Sequence, residues 1–388
     1  MQNFNYYSPT RLIFGQGVVA QLPSVLSPLG TRVLLAYGGG SIKRIGLYEK
    51  VLSLLQGFEV VELPGIEPNP KYETSVLDGV RLCKEHHIDV ILSVGGGSVL
   101  DCCKAIAAGA KYDGDPWDLI SYRVKAQAAL PIVDIITLAA TGSEYDMGGV
   151  ISRINPPDKK GYLDPLLWPV ASFLDPTYTF SVNKKHTAAG VADAFNHVLE
   201  QYFCSDSSMV TDGFNESILR TLIHYAPIAL EQPDNYEARA ELMFACTFGC
   251  NGLLGLGSSR RNWPMHSIEH ALSAYYDITH GEGLAIITPH WMRHILSPLT
   301  TERMAHYGTQ VFALSPTIPA HERALQAINL TAAFFTSLGL PMTLRAVGIG
   351  EERLREMAHH IVAEGLDDKG NYAPLTEDDI FAILTAAL

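Results

Sequence analysis

Short β-rich runs alternate with helical patterns up to about residue 180, and this alternation constrains the fold more than any other feature. The β-rich runs are RVLLAY, EVVELP, DVILSVGGG, PIVDIITLAATGSE and VASFLDP, and the first three are followed by the helical patterns GLYEKVLSLL, TSVLDGVRLCKEHH and SVLDCCKAIAAGA. Such alternation requires crossover helices between parallel strands. It therefore predicts an α/β fold with a Rossmann-like, doubly wound parallel sheet.

Beyond residue 180 the β-rich runs disappear, and helical periodicity continues to the C-terminus. The long helical segments are VADAFNHVLEQYF, FNESILRTLIHYAPIAL, YEARAELMFACTFGC and HERALQAINLTAAFFTSL. A chain of 388 residues exceeds the usual size of a single core. The sequence predicts an α/β domain at residues 1–180 and an all-helical domain at residues 181–388.

The charge balance and the N-terminal segment argue against several classes of protein. Lys and Arg total 28 against 41 for Asp and Glu, and the net charge of −13 repels nucleic-acid phosphates and anionic membranes. The segment MQNFNYYSPTRLIFG lacks the basic and apolar regions of a signal peptide, and no apolar run reaches the length of a membrane span. We expect a soluble, cytoplasmic protein with neither a nucleic-acid nor a membrane partner.

Two of the predicted strands end in the same glycine-rich turn, GGGS, at residues 38–41 and 95–98. Glycine lets the backbone approach a phosphate closely, and a following helix points unpaired N–H groups at negative charge. Neither turn has the G-x-G-x-x-G spacing, and a tight structural turn between strand and helix is the alternative. Two such turns in one sheet favour nucleotide binding.

The first turn also bears on which dinucleotide is bound. An acidic residue after this strand would accept a hydrogen bond from the ribose and repel a 2′-phosphate, and none is present. Lys43 and Arg44 add positive charge, which favours NADP(H) over NAD(H). The alternative is that both side chains face solvent.

Hydroxyl side chains follow the strand PIVDII. Thr137, Thr141 and Ser143 are expected just beyond the carboxyl edge of the sheet, where ligands of parallel sheets collect. Their hydroxyls suit a nicotinamide amide or a ribose. Helix capping is the alternative, because Glu144 follows Thr141 by three residues, as in a capping box.

Two helical pairs of metal-ligating residues occur in the second half of the chain. Asp193 and His197 are four residues apart, as are His266 and His270, so each pair lies on one helical face. His280 follows in the same segment. Imidazole nitrogens with one carboxylate suit Zn²⁺ or Fe²⁺ better than Ca²⁺ or Mg²⁺. One such pair arises easily by chance among 14 histidines, whereas two pairs together predict a shared metal site.

Together these motifs resemble those of the iron-containing (group III) alcohol dehydrogenases, most closely their branch of NADPH-dependent butanol dehydrogenases and broad-specificity aldehyde reductases. The similarity covers essentially the whole chain. The motifs that carry it are TRLIFGQG, YGGGSIKRIG, GIEPNP, VGGGSVLDCCKAIA, TLAATGSE, D-x-x-x-H and H-x-x-x-H-x-x-x-x-x-x-x-x-x-H.

The resemblance implies a role for each matching residue. The implied metal ligands are Asp193, His197, His266 and His280. His270 is implied to lie outside the metal shell, as a catalytic residue that helps to relay a proton. The implied cofactor-binding residues are Gly38, Gly39, Ser41, Asn69, Gly95, Gly96, Gly97, Ser98, Thr137, Thr141 and Lys159. Lys160 is the alternative to Lys159, since an ungapped alignment can slip by one residue.

The resemblance further implies NADP(H), one Fe²⁺ or Zn²⁺ ion and assembly as a homodimer or larger homo-oligomer. The predicted reaction is reversible hydride transfer between NADP(H) and a small primary alcohol or aldehyde. A glycerol dehydrogenase or a sugar-phosphate enzyme of the same superfamily is the nearest alternative. Few basic residues other than Arg260 and Arg261 flank the ligands, which favours a small neutral substrate.

Two alternatives come from other classes of protein. In a metal-dependent hydrolase the glycine turns would be structural, and Glu200, Glu269 or Glu282 would act as general base. A nucleotide sensor is the non-enzymatic alternative, and it leaves the predicted metal ligands unexplained.

Overall fold

The computed structural model describes residues 1–259, 263–366 and 372–388. Its strands are β1 (Arg11–Phe14), β2 (Arg32–Tyr37), β3 (Glu59–Leu63), β4 (Val90–Gly95), β5 (Ile132–Ile136), β6 (Gly148–Arg153), β7 (Asp158–Leu163) and β8 (Ala171–Leu174). The helices before residue 180 are α1 (Leu22–Leu26), α2 (Ser41–Arg44), α3 (Leu47–Leu54), α4 (Leu77–Glu85), α5 (Gly97–Gly109) and α6 (Trp117–Ile120). The later helices are α7 (Lys184–Tyr202), α8 (Met209–Glu231), α9 (Tyr236–Thr247), α10 (Pro264–Tyr276), α11 (His280–His294), α12 (Thr301–Phe312), α13 (Ala320–Ser337), α14 (Leu354–Ile361) and α15 (Glu377–Ala386).

Six parallel strands form one sheet in the order β1-β8-β5-β4-β2-β3. Leu34 and Ile91 belong to a core shared with α4 and α5, whereas Val33 and Leu92 belong to a core shared with α1 and α3. Successive residues of a strand point to opposite faces, so strands that are covered on both faces are apolar at nearly every position. The predicted doubly wound parallel sheet is confirmed.

The β-rich runs of the sequence correspond to β2, β3, β4, β5 and β8, and the structure adds three strands to them. β1 is a four-residue edge strand that pairs with β8, too short for a periodic signal. β6 and β7 form a separate antiparallel hairpin, which pairs Gly148 with Leu163. The hairpin lies in a polar segment whose composition is typical of a loop, and it carries Lys159.

The chain forms two compact units. The α/β unit consists of Tyr7–Val182 and Pro233–Asn251, and the helical unit consists of Met1–Tyr6, Asn183–Gln232 and Gly252–Leu388. The regular elements described in the helical unit are all helices, as predicted for the C-terminal part of the chain. The domain boundary predicted between residues 180 and 181 stays a prediction.

α9 belongs to the α/β unit, although it lies among the later helices in sequence. Thr247 of α9 donates a hydrogen bond of 2.8 Å to Glu144, and the Phe244 ring contacts the Phe14 ring edge-on at 5.9 Å between centroids. Helical periodicity identifies α9 as a helix, but it carries no information about which element the helix packs against.

Among the described residues, none of the helices combines the length and the apolar character that crossing a bilayer requires.

Candidate functional site

Three helices of the helical unit bring Asp193, His197, His266 and His280 together. α7 supplies the first two, α10 supplies His266, and His280 is the first residue of α11. Asp193 Oδ1 lies 3.4 Å from His197 Nδ1, 3.6 Å from His266 Nε2 and 3.5 Å from His280 Nε2. Ligand atoms about 2.1 Å from a shared ion in a tetrahedron lie about 3.4 Å apart. Ligand atoms of Asp193, His266 and His280 also lie within 4.8 Å of one another, so the spacing of these three residues fits a single divalent ion, with His197 beside Asp193.

Three of these four ligand atoms are buried and lack hydrogen-bond partners in the described part of the chain. Asp193 Oδ1, His197 Nδ1 and His266 Nε2 are inaccessible to solvent and make no hydrogen bond within the described part of the chain. An unpaired buried polar atom costs about 1–3 kcal/mol. A cation bound by one carboxylate and three imidazoles would satisfy these atoms, and this donor set suits Zn²⁺ or Fe²⁺.

Asp193 and His266 both favour positive charge beside them, whereas the buried His197 favours its neutral form, in which an imidazole can bind a metal ion. Burial alone raises the pKa of Asp193, but the surrounding imidazoles outweigh it and hold the pKa well below its usual range. Burial lowers the pKa of His197 to about 3. Burial also opposes protonation of His266, but Glu200 and Asp193 outweigh it and raise the pKa to about 10. A bound cation supplies the charge that this environment favours.

His270 lies beside the cluster. Its ring centroid is 6.2 Å from that of His266 and 5.6 Å from that of His280. Ligand atoms of Asp193, His266 and His280 lie within 4.8 Å of one another, and Glu269, His270 and His280 form a second group that meets the same limit. The predicted proton-relay role of His270 stays a prediction.

Two buried glutamates contact the outer nitrogens of two of these histidines. Glu200 of α7 is hydrogen-bonded to His266 Nδ1, and Glu269 of α10 is hydrogen-bonded to His280 Nδ1. The sequence assigns these glutamates only to the hydrolase alternative. A usable signal is present, because each follows a predicted ligand by three residues on the same helical face: Glu200 follows His197, and Glu269 follows His266. Their partners lie on other helices and become visible only in the structure.

In the α/β unit, the predicted cofactor residues line the carboxyl ends of three neighbouring strands. The turns at residues 38–41 and 95–98 follow β2 and β4, and Thr137 follows β5, where its amide donates to the Gly95 carbonyl at 2.9 Å. A Cβ at Gly97 would lie 2.4 Å from Thr141 Oγ1. The missing side chain at Gly97 therefore lets Thr141 lie against the first turn of α5, where phosphate groups bind in such sheets.

The other predicted cofactor residues lie near these carboxyl ends or on the β6–β7 hairpin. Asn69 has a left-handed backbone with φ of 50°, in a loop whose Ile66 amide donates to the carbonyl of Tyr37, the last residue of β2. Lys159 is buried on β7, whereas Lys160 forms an ion pair of 3.5 Å with Asp158. The choice of Lys159 over Lys160 stays a prediction.

Lys43 packs against aromatic rings near the first glycine turn. Its Nζ lies 5.1 Å from the ring centroid of Tyr37 and 4.4 Å from that of Tyr48. The two tyrosine hydroxyls donate hydrogen bonds of 2.6 and 3.0 Å to Glu62. Lys43 therefore shares its surroundings with a carboxylate, which weakens the positive field at the turn, while Arg44 is exposed.

A buried lysine holds the segment that follows Thr141. The Lys104 ammonium on α5 is 0% exposed and donates to Asp146 Oδ1 at 2.6 Å, to the Gly148 carbonyl at 2.6 Å and to the Ser143 carbonyl at 2.8 Å. Thr141 makes one of the two contacts of the capping alternative, because its hydroxyl accepts a hydrogen bond of 3.2 Å from the Ser143 amide. The glutamate of the proposed capping box, Glu144, bonds to α9 instead.

Replacing Glu144 with glutamine is expected to remove a pH-dependent loss of stability. Burial raises the pKa of Glu144 from its usual 4.5 to about 7, a difference on the order of 3 kcal/mol. The folded state then holds its proton more tightly than the unfolded state, so this contribution is complete below pH 4.5 and is lost as pH rises through about 7. Urea midpoints measured across this range should show the wild-type protein losing stability relative to Glu144→Gln.

Glu49→Gln is the matched control for this experiment, since Glu49 lies on the surface of α3. The control should follow the wild-type pH profile. Parallel profiles for the wild-type protein and Glu144→Gln would contradict the assignment of a raised pKa to this carboxyl.

Two family models match most of the chain. Residues 9–176 match the family described as iron-containing alcohol dehydrogenase, and residues 187–388 match the C-terminal domain of the Fe-containing alcohol dehydrogenase family. The chain belongs to the iron-containing alcohol dehydrogenase family.

Individual members of this family resemble the chain over its full length. The NADH-dependent butanol dehydrogenase A of Clostridium acetobutylicum is 45% identical over 386 residues, which is 99% of each chain. The NADPH-dependent aldehyde reductase YqhD of Escherichia coli is 38% identical over 100% of each chain. The crystal structure of YqhD from E. coli K-12 superposes with a TM-score of 0.95 and covers 100% of this chain and 99% of that one.

Family membership confirms the resemblance and makes the protein an iron-type alcohol or aldehyde oxidoreductase, which excludes the hydrolase and sensor alternatives. It also implies a divalent metal and a nicotinamide cofactor. One of these relatives is named for NADH and the other for NADPH, so membership does not decide between the two dinucleotides.

Proposed function

We propose that this iron-containing alcohol dehydrogenase transfers a hydride reversibly between NADP(H) and a small primary alcohol or aldehyde. The placement of three imidazole nitrogens 3.4–3.6 Å from the buried Oδ1 atom of Asp193 is the observation that carries the proposal. The names of its relatives, a butanol dehydrogenase and an aldehyde reductase, support the substrate class.

The proposed metal ligands are Asp193, His197, His266 and His280. A divalent ion held by them supplies Lewis acidity, which polarises the oxygen of a carbonyl or hydroxyl group. The three imidazoles are neutral ligands and Asp193 contributes one negative charge, so the set leaves a net positive charge. Such a charge would stabilise the negative charge on the substrate oxygen, which an alcohol gains on loss of its hydroxyl proton and an aldehyde gains as a hydride is added to its carbonyl carbon.

His270 is proposed to hold or relay the proton of the substrate hydroxyl. The proposal is supported by the position of its ring, 5.6 Å from the His280 ring at the edge of the ligand cluster. An imidazole suits this role because its usual pKa lies near neutrality.

The edge of the sheet at the carboxyl ends of β2, β4 and β5 is proposed to bind the dinucleotide. Gly38, Gly39 and Ser41 would face the 2′-phosphate of the adenosine ribose, and residues 95–98 the pyrophosphate. Thr137, Thr141 and Lys159 would face the ribose and the nicotinamide. Asn69 is proposed as a further contact. The support for the residues of the two turns and Thr137 is their location at the carboxyl ends of β2, β4 and β5, where the glycines leave the backbone without side chains.

A small neutral substrate is favoured over a sugar phosphate. The buried groups next to the ligands include the carboxylates of Glu200 and Glu269, which would repel a phosphorylated substrate. Arg260 and Arg261, the basic residues that the sugar-phosphate alternative depends on, lie outside the described residues.

NADP(H) is the proposed dinucleotide because the turn at residues 38–41 has no acidic side chain, and Arg44 is exposed beside it. NAD(H) is the second candidate. It is favoured by the Glu62 carboxylate near Lys43 and by the relative named for NADH.

An activity screen tests the proposed function. Purified protein is stripped with a chelator, reloaded with Fe²⁺, Zn²⁺ or Mn²⁺, and assayed with short aldehydes and alcohols through the absorbance of the reduced nicotinamide. We expect metal-dependent oxidation of NADPH with short aldehydes. Metal-loaded protein that neither binds nor consumes a dinucleotide would contradict the proposal.

Replacing Gly39 with aspartate is expected to lower kcat/KM for NADPH about 10- to 100-fold, because a carboxylate would repel the 2′-phosphate. A side chain fits at this position, since an added Cβ meets no atom within 4 Å. The neutral, equally sized Gly39→Asn is the matched control and should retain NADPH activity. If both variants lose NADPH and NADH activity equally, the turn does not face the 2′-phosphate.

Assembly as a homodimer and a cytoplasmic location are part of the same proposal, taken from the resemblance to the family. Light scattering on the purified protein measures the oligomeric state directly.

A further inference from the structure

We infer that Glu200 and Glu269 are positioning residues that set the metal affinity of the site by fixing the rings of His266 and His280. This inference rests on the proposed metal site.

Each of these two histidines has one nitrogen at the cluster and the other against a glutamate. The Nε2 atoms of His266 and His280 lie 3.6 and 3.5 Å from Asp193 Oδ1, while their Nδ1 atoms are hydrogen-bonded to Glu200 and Glu269. An imidazole that donates Nδ1–H to a carboxylate keeps its lone pair on Nε2. The two glutamates therefore select the tautomer, and the ring orientation, that presents Nε2 to a metal ion.

The glutamates are themselves held firmly. Both side chains are 0% exposed. Glu200 Oε1 also accepts hydrogen bonds from the amides of Met265 at 2.6 Å and His266 at 3.3 Å, so it anchors the first turn of α10 together with the ring. Glu269 also accepts a hydrogen bond from Ser273. Because these contacts fix the position of each carboxylate, the carboxylate sets the orientation of its imidazole partner.

Each of the two glutamates contacts the histidine of the next helix in the chain order α7, α10, α11. Glu200 of α7 holds the histidine of α10, and Glu269 of α10 holds the histidine of α11. Room for Glu269 comes from Gly283 of α11, where a Cβ would lie 2.7 Å from Glu269 Cγ. The ligands of three helices are thus linked by two carboxylates into one arrangement.

A purely structural role is the competing explanation, and glutamine substitutions separate the two. Glu200→Gln and Glu269→Gln keep the size and one acceptor oxygen, but they remove the negative charge that makes Nε2 a stronger ligand. Removing such a carboxylate from a metal-bound histidine typically lowers metal affinity about 10- to 100-fold. A residue that only ties helices together would change stability and leave metal affinity unchanged.

The test measures the Kd for Zn²⁺ by competition with a chromophoric chelator, and the rate at which the Zn²⁺-loaded protein loses its ion to EDTA. Wild-type protein is compared with Glu200→Gln, Glu269→Gln and the matched control Glu282→Gln. Glu282 is also buried and lies two residues after His280, but it pairs with Lys185 at 3.1 Å. Thermal unfolding of the metal-free proteins and their circular dichroism report whether each variant folds.

We expect both Glu200→Gln and Glu269→Gln to bind Zn²⁺ about 10- to 100-fold more weakly than the wild-type protein and to release it faster. The control should match the wild-type protein. Wild-type affinity in both variants, with catalysis by the wild-type protein intact, would overturn this inference alone. Loss of fold in both variants would overturn it too, since the carboxylates would then hold helices rather than rings. A wild-type protein without Zn²⁺ affinity would overturn the proposed metal site and this inference together.

Discussion

Replacing His280 with alanine is expected to lower kcat by at least about 10³-fold, the rate equivalent of several kcal/mol of transition-state stabilisation by a bound ion. The substitution removes one of the four proposed metal ligands and leaves the buried Glu269 without its imidazole partner. Dinucleotide binding should persist, because the proposed cofactor residues belong to the α/β unit. Turnover, metal content and NADPH fluorescence measure the three effects separately.

His321→Ala is the control for this prediction, since His321 is an exposed residue of α13 in the same unit. It should retain metal and activity. Equal loss of metal binding and NADPH binding in His280→Ala would show that the variant is damaged globally, and full activity would remove His280 from the ligand set.

Replacing Gly281 with alanine is expected to destabilise the helical unit by about 3 kcal/mol or more, through overpacking of a closely packed contact. The added Cβ would lie 1.9 Å from the carbonyl oxygen of Ala189 on α7, and backbone cannot yield as a flexible side chain does. Relief requires α11 to move away from α7. Because α7 carries Asp193 and α11 begins at His280, metal affinity should fall with stability.

Gly213→Ala is the matched control, a helical glycine of α8 whose added Cβ would meet no atom within 4 Å. Alanine is the better helix former by up to about 1 kcal/mol, so this variant should be as stable as the wild-type protein or slightly more stable. Thermal unfolding with and without Zn²⁺ compares the two. Wild-type stability in Gly281→Ala would show that α7 and α11 do not approach each other as closely as described.

Local sequence patterns predict much of the fold. The runs that became β2, β4 and β5 are apolar at nearly every position, and a strand covered on both faces needs this composition. Local composition does not predict the edge strand β1 or the hairpin β6–β7. β1 is short, and the hairpin is held by contacts with α5, including the hydrogen bond from Lys104 to Gly148.

The candidate site was predictable to a similar degree. The spacing of four between Asp193 and His197 defines one face of α7 wherever that helix packs. The same rule paired His266 with His270 and left His280 undecided, because no periodicity crosses the break between α10 and α11. Family resemblance favoured His280, and the structure places its Nε2 3.5 Å from Asp193 Oδ1.

Relations between side chains a few residues apart can be read along the chain, because the geometry of a single helix or strand repeats at a constant interval. For this reason the sequence alone predicts the order of strands and helices along the chain, the glycine turns and the Asp193–His197 pair. Other contacts join elements that lie apart in the sequence. They are the contacts of Glu200 with His266, of Glu269 with His280, and of α9 with the rest of the α/β unit. Only packing sets those contacts, since they depend on which buried surfaces and unpaired polar groups meet when separate elements pack together.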